Sequence, residues 1–176
     1  MTEPTDYLRT YLQDHHAGAM VGTELSRRAA GSNAESEYGA ELESIADEIA
    51  ADREALERVM ESLEVKPNPI KDAAGWTAEK FGRLKPNNSL FSYSPLSRVV
   101  ELEGLVIGVT GKLALWQSLL SARGESVDGV DINELAERAR DQRARLEELR
   151  ERAAAEAFGE AQSPSANARR ASPGSA

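Results

Sequence analysis

The chain has 176 residues, no cysteine and a formal net charge of -9. This length predicts a single domain, and the lack of cysteine excludes disulfides, thiolate metal sites and cysteine nucleophiles. The acidic balance argues against a nucleic-acid-binding protein, because such a protein needs a basic patch. The first residues are acidic and lack the apolar core of a secretory signal, so we expect a cytoplasmic protein.

The amino-terminal part of the chain predicts a helical hairpin. Apolar residues spaced three and four apart indicate a first helix over residues 5–30, which Gly31 would end. Ser32 and Glu35 have the spacing of a capping box, so they predict the start of a second helix that runs to about Glu64. Because the predicted turn is short, the two helices should lie antiparallel.

Residues 65–94 are predicted to form a connector between this hairpin and the rest of the chain. The connector should carry its own short helix over residues 70–84, followed by a loop. Ser94 then has the character of an N-cap and Pro95 that of a first helical residue. These two residues predict a third long helix that continues to about Ala122, and Gly124 is expected to end it.

The last predicted helix begins after Asp131 and ends near Phe158, and Asp131 with Glu134 can form another capping box. Residues 159–176 are rich in serine, alanine and proline, so they predict a disordered tail. The helical bundle domain is therefore expected to span residues 1–158.

The longest apolar stretch, residues 102–116, is interrupted by Glu103 and Lys112. It is too short to cross a bilayer, so we expect a helix buried among other helices and no membrane association. The complete pattern predicts an all-α bundle of two antiparallel hairpins joined by a helical crossover. This layout resembles the ferritin-like superfamily in architecture. An up-down bundle with the connector helix on its surface is the alternative.

Four short stretches of the chain are YLQDH at 11–15, KPN at 66–68, SPLSR at 94–98 and GKLALW at 111–116. Together they resemble a group of bacterial helical proteins that has no established activity. The resemblance implies a helical fold and a bacterial cytosol, and it implies no particular reaction or cofactor.

Four polar residues interrupt apolar stripes on the long helices, namely His15, Asp52, Lys112 and Gln142. An unpaired buried charge is costly, so these side chains should meet one another or bind something. In an antiparallel hairpin, residues equidistant from the turn lie at one height. This rule puts His15 level with Asp52, and Lys112 level with Gln142. We therefore predict one polar layer in the middle of the bundle.

Two interpretations of this layer are open. In the first, Asp52 and Lys112 neutralise each other and the layer fixes the register of the helices. In the second, the bundle binds iron or manganese, with His15, Glu48, Asp52 and Glu103 as candidate ligands. The sequence lacks the Glu-x-x-His pattern of di-iron bundles, and the Lys112 ammonium would repel a cation, so we favour the first interpretation.

Two further patterns concern helix surfaces. Five glycines on the first and third long helices predict close backbone approach, either between these helices or against a second copy of the chain. They are Gly18, Gly22, Gly104, Gly108 and Gly111. In the last helix, arginines alternate with acidic residues from Arg138 to Arg152, which predicts a solvated face with i,i+4 ion pairs.

The sequence contains no recognisable catalytic motif, phosphate-binding loop or zinc-ligand spacing. We therefore predict a non-enzymatic bundle that acts as an interaction or structural module. Its partner would be another protein or a second copy of the chain, and no cofactor is expected. The alternative is a ferritin-like protein that binds a metal through carboxylates.

Overall fold

The computed structural model describes residues 4–68 and 93–159. Its long elements are four helices, α1 (Asp6–Asn33), α2 (Gly39–Ser62), α3 (Pro95–Arg123) and α4 (Ile132–Phe158). Two short strands, β1 (Ser126–Val127) and β2 (Val130–Asp131), lie between α3 and α4. The predicted all-α fold is confirmed. The predicted connector helix over residues 70–84 and all of the predicted tail except Gly159 lie outside the described residues.

Polar caps begin three of the helices. The side chains of Thr5, Ser94 and Asp131 each accept a hydrogen bond from the backbone N–H three residues later. Such bonds satisfy N–H groups that have no partner inside the helix. Gly124 ends α3 with a φ of 90°, a conformation that glycine adopts without a steric penalty. The predicted starts of α3 and α4 and the predicted stop at Gly124 are confirmed.

The turn between α1 and α2 lies later in the chain than predicted. α1 continues to Asn33 and α2 begins at Gly39, so the prediction that Ser32 caps the second helix is wrong. Gly39 is needed at this corner, because a Cβ there would lie 2.7 Å from the backbone oxygens of Asn33 and Ala34. The centre of the turn moves to about Ser36. Each residue of α1 therefore lies level with a later residue of α2 than the sequence predicted.

A small hairpin forms the connection between α3 and α4. β1 and β2 pair antiparallel, and the residues at the tip are Asp128 and Gly129. Both tip residues have positive φ, at 48° and 80°, as a type I′ turn requires. Sequence analysis did not predict these strands, because two residues are too few to produce an alternating pattern. The connection keeps α3 and α4 as antiparallel neighbours.

The four helices do not simply alternate in direction along the chain. Arg28 contacts Glu101 near one end of α1, and Tyr11 contacts Ser118 near the other end. These two contacts make α1 antiparallel to α3. Because α1 is also antiparallel to α2, the helices α2 and α3 run in the same direction. The end of α2 and the start of α3 therefore lie at opposite ends of the bundle.

The apolar core extends along the bundle between all four helices. α1 packs against α2 and α3, and α3 packs most extensively against α4. α2 and α4 lie farther apart, so longer side chains span that side of the bundle. Within the two described ranges, no helix is long and apolar enough to cross a membrane. The largest fully buried side chains include those of Trp116, Tyr38, Leu12, Leu42, Ile45, Leu56 and Met60.

Candidate functional site

Asp52 lies in the middle of α2, and only 1% of its side chain is exposed. Its Oδ1 accepts hydrogen bonds from Nε and Nη2 of Arg138 at 2.8 and 2.5 Å. Its Oδ2 accepts from Nζ of Lys112 and from Nε2 of Gln142, the latter at 3.1 Å. We name Asp52, Lys112, Arg138 and Gln142 the ionic layer. The structure thus brings together three of the four residues of the predicted polar layer and adds Arg138.

Lys112 enters the layer from α3. Its ammonium donates to Asp52 and also to Oε1 of Gln142, at 2.5 Å in the second case. Burial lowers the pKa of Lys112 from its usual value, while the Asp52 carboxylate opposes this decrease. The pairing therefore offsets part of the free energy that is lost when the two charges leave water.

Gln142 connects the carboxylates of Glu48 and Asp52 on α2. Its side chain is fully buried. Nε2 donates to Glu48 at 3.0 Å and to Asp52 at 3.1 Å, while Oε1 accepts from Lys112. The amide nitrogen thus faces the carboxylates and the amide oxygen faces the cation. The opposite amide orientation would place like partial charges against each other, so the network fixes this side chain.

Three arginines of α4, at seven-residue intervals, reach across to α2 and to the turn that precedes it. Side chains seven residues apart return to the same face of a helix. The predicted solvated face is wrong for two of them, because the side chains of Arg138 and Arg145 are only 30% and 25% exposed. The wide α2–α4 gap accommodates them. The pairs are Arg138 with Asp52, Arg145 with Glu48 and Glu41, and Arg152 with Glu37. The predicted i,i+4 pairing does occur, between Arg145 and Asp141 at 2.8 Å.

Glu48 lies one helical turn before Asp52 and extends the network. It accepts hydrogen bonds from Arg145 at 2.5 Å, from Gln142 at 3.0 Å and from Ser44 at 3.4 Å. Burial by itself would raise the pKa of Glu48. The hydrogen bonds from Arg145 and Gln142 outweigh this effect, and the pKa is lowered from its ordinary value of 4.5.

The lowered pKa of Glu48 predicts a loss of stability in acid. A carboxylate with a depressed folded-state pKa stabilises the fold above its unfolded pKa, and this stabilisation disappears as the pH falls through the folded-state pKa. As the pH falls below 4.5, we expect the unfolding free energy of Glu48→Gln to decrease less than that of the wild type. Urea unfolding between neutral and acidic pH measures this slope, with Glu43→Gln as the exposed comparison on the same helix. Equal slopes for wild type and Glu48→Gln would contradict the prediction.

The structure places His15 outside the ionic layer. Its ring packs edge-on against the ring of Tyr11, with 4.5 Å between the ring centroids. Burial lowers the pKa of His15, and the nearby Asp14 opposes the decrease. The longer α1 and later turn explain this position, because they put His15 level with a part of α2 that lies beyond Asp52. The prediction that His15 completes the layer relied on a turn that was placed too early.

His16 is the buried histidine, with 5% of its surface exposed. The sequence pattern instead placed its neighbour, His15, on the apolar stripe. Nε2 of His16 lies 3.4 Å from Oε1 of Glu57, which also pairs with Arg53 at 3.3 Å. Successive residues of a helix point about 100° apart. A modest error in the orientation of the apolar stripe therefore exchanges the buried and the more exposed member of this pair.

The four candidate metal ligands do not converge on one point. Asp52 and Glu48 both contact Gln142. His15 instead packs against Tyr11 of its own helix, and Glu103 is exposed on α3. Within residues 4–68 and 93–159, no group of three or more histidine, aspartate or glutamate side chains is arranged to hold a metal ion. Glu103 lies outside the ionic layer.

A second polar network lies at the end of the bundle where α1 meets α2. Asn33 is 2% exposed; its Nδ2 donates to the Tyr93 hydroxyl at 2.8 Å, and its Oδ1 accepts from Nε of Arg98 at 2.7 Å. The Tyr93 hydroxyl donates to Glu101 at 3.0 Å, and Glu101 also accepts from Arg28 at 2.9 Å. Burial raises the pKa of Tyr93 to about 12. We name these residues, together with Tyr38, Arg152 and Glu156, the end cluster.

Tyr38 is the aromatic centre of the end cluster, and 1% of it is exposed. The guanidinium carbons of Arg98 and Arg152 lie 4.3 and 4.2 Å from the centroid of its ring. Guanidinium groups at such distances attract the electron-rich ring. The Tyr38 hydroxyl donates to Glu156 at 2.5 Å, and Arg98 donates to the same carboxylate at 3.0 Å. Tyr38 therefore connects α3 and α4 to the start of α2.

Sequence reasoning missed most of the end cluster. Its one signal was Glu101, a charge on a nearly apolar helix, which requires a cationic partner if it is buried. The residues that supply the partners, Arg28 and Arg98, have the sequence pattern of ordinary surface arginines. Only the packing of α1 against α3 brings them to Glu101 and its neighbours.

Comparison with protein-family models, with curated proteins and with solved structures gave no match for this chain. The function must therefore be argued from the ionic layer, the end cluster and the surface of the bundle.

Proposed function

We propose that the protein is a non-enzymatic helical bundle that serves as a structural or interaction module, and that its ionic layer fixes the register of the helices. The observation that carries this proposal is the saturation of Asp52 by four hydrogen bonds. A carboxylate offers about four lone-pair sites. The protein's own donors therefore use the full capacity of the most central charge, and a ligand would have to displace them.

The composition of the layer supports a role in register. It takes one residue from α2, one from α3 and two from α4. Sliding any of these helices by one turn, about 5.4 Å, would leave charges buried without partners. Buried ionic groups often stabilise a fold less than apolar residues of similar size, and fixing register is their best-attested use.

Iron or manganese binding in the ferritin-like manner is the second candidate function, and it has less support. Such sites combine several carboxylates and histidines from facing helices. Here Lys112 and Arg138 occupy oxygens of Asp52. Their two positive charges would oppose a metal cation at this position.

One variant separates the two functions. In it, the layer becomes apolar through Asp52→Leu, Lys112→Met, Arg138→Leu and Gln142→Leu in the full-length chain. We expect this variant to remain helical and to unfold at a urea concentration at least as high as that of the wild type, because two buried polar side chains and their two partly buried cationic partners are removed together. We also expect its helices to adopt more than one register, which would appear as broadened amide resonances and increased binding of a hydrophobic dye.

Metal content is measured on the same two proteins. After incubation with iron(II) or manganese(II) and desalting, neither wild type nor variant should retain stoichiometric metal in elemental analysis. Stoichiometric metal in the wild type that is lost in the variant would contradict the structural proposal and favour the second candidate. Unchanged, sharp resonances in the apolar variant would also contradict a role in register.

A further inference from the structure

One long surface of this acidic protein carries almost no charge. α4 contains 13 charged residues among 27, whereas α3 contains 5 among 29. Between Gly104 and Ala122 of α3, Lys112 is the one charged residue, and its ammonium is bound inside the ionic layer. Outward-facing residues of this stretch include Ile107, whose surface is 66% exposed. The neighbouring part of α1, residues 15–23, also lacks acidic residues, lysine and arginine.

Glycines line an open groove between these two helices. α1 and α3 touch at Leu25, which lies 3.1 Å from a Cβ built on Gly104, and again at the hydrogen bond between Tyr11 and Ser118. Between these contacts are four glycines at which an added Cβ would meet no atom of the described residues within 4 Å. The predicted close backbone approach of the helices is therefore not found: the neighbour of Gly104 is a side-chain atom of Leu25, and the other four glycines have no described neighbour at this distance. They are Gly18 and Gly22 on α1, and Gly108 and Gly111 on α3.

These four glycines destabilise their helices, and the described contacts of the chain do not explain why larger residues are absent there. Glycine inside a helix is less favourable than alanine by about 1 kcal/mol. At all four open positions the described part of the chain has room for a larger side chain. Small residues at these positions do, however, make space for side chains of another surface, and Ile107 is an exposed apolar side chain next to Gly108.

We propose that a second copy of this chain docks on the uncharged face of α1 and α3 about a two-fold axis, with Ile107 of each copy entering the glycine groove of the other. The proposal rests on the role of the protein as an interaction module and names its partner. A two-fold interface requires that one patch be complementary to itself. This face carries both the projecting residue and the groove.

The charge of the protein restricts where a second copy can dock. Two chains that each carry a net charge of -9 repel each other over most of their surfaces. The uncharged face is where two copies can meet with the least repulsion. The same face has no charged groups by which to select a foreign partner through electrostatic complementarity.

The size of the face agrees with a reversible dimer. Nineteen residues of α3 extend for about 28 Å, and two adjacent helices are about 20 Å wide. The resulting buried area is on the order of 1,100 Å² for both copies, which is at the lower end of specific interfaces. We therefore expect association at micromolar concentrations.

Sedimentation equilibrium of the full-length protein tests the proposal. The wild type should approach twice its monomer mass of 19.1 kDa as its concentration rises. Ile107→Glu should weaken association by about a hundredfold, because the two-fold axis would bring two new carboxylates together. Ala144→Glu adds the same charge at an exposed position of α4, and it should associate like the wild type. A wild type that stays monomeric, or equal association of both variants, would overturn the proposal.

A single introduced thiol identifies what covers the groove. The chain has no cysteine, so Thr110→Cys provides one label site on α3. Dimerisation predicts that its modification rate falls as protein concentration rises. Protection that is independent of concentration in a monomeric protein would show a different occupant and overturn the proposal. Urea unfolding of Ile107→Glu should match that of the wild type at low concentration, so a failed dimer test leaves the ionic-layer proposal intact.

Discussion

Asp52→Asn is expected to lower the free energy of unfolding by about 3 kcal/mol, the lower end of the range for breaking a buried ion pair. The substitution keeps the shape of the side chain but removes its charge. It leaves Lys112 and Arg138 facing each other without a shared counterion, and the new amide N–H₂ cannot accept from them. Both cations retain partial exposure, at 16% and 30% of their side chains, which limits the loss.

Urea unfolding followed by circular dichroism measures this effect. Asp47→Asn is the matched control, because it makes the same change on the exposed side of α2. Exposed substitutions usually change stability by less than about 0.5 kcal/mol. If Asp52→Asn were as stable as Asp47→Asn, the ionic layer would not hold the helices together. Loss of ligand binding without loss of stability would instead identify the layer as a binding site.

Tyr38→Ala is expected to destabilise the protein by about 3–5 kcal/mol, as removal of a large buried aromatic side chain does. The change removes the ring that Arg98 and Arg152 contact on α3 and α4. It also removes the hydroxyl that donates to Glu156. The loss should therefore exceed that of any substitution confined to a single exposed ion pair.

Two comparison variants divide the Tyr38 effect into its parts. Tyr38→Phe retains the ring and removes the hydroxyl, so it should cost about 1–2 kcal/mol. Tyr7→Ala removes a tyrosine that is 89% exposed, and it should change stability by less than about 0.5 kcal/mol. Thermal or urea unfolding gives all three values. A Tyr38→Ala variant with the stability of Tyr7→Ala would show that the end cluster contributes little to the fold.

Local sequence chemistry determined that the four long segments are helical and where three of them begin. The pairing of Lys112 with Gln142 also followed from the sequence, because Gly124 and the cap at Asp131 bracket a short connection. A short connection between antiparallel helices leaves little freedom in their relative height. The same reasoning misplaced His15, because the polar residues around Ser32 suggested a helix end that the chain does not make.

The sequence by itself thus determined that this protein is an all-α bundle with Asp52 and Lys112 as buried charges that require partners. Only the tertiary structure decided that Arg138 is one of those partners and that His15 is not. It also decided that four of the five glycines face an open groove instead of a neighbouring helix. The physical reason is that helical periodicity specifies which face of each helix is buried, but not which residues of another helix that face meets. Partners on another helix depend on turn length and helix spacing, and local patterns specified the turn between α3 and α4 but not the turn between α1 and α2.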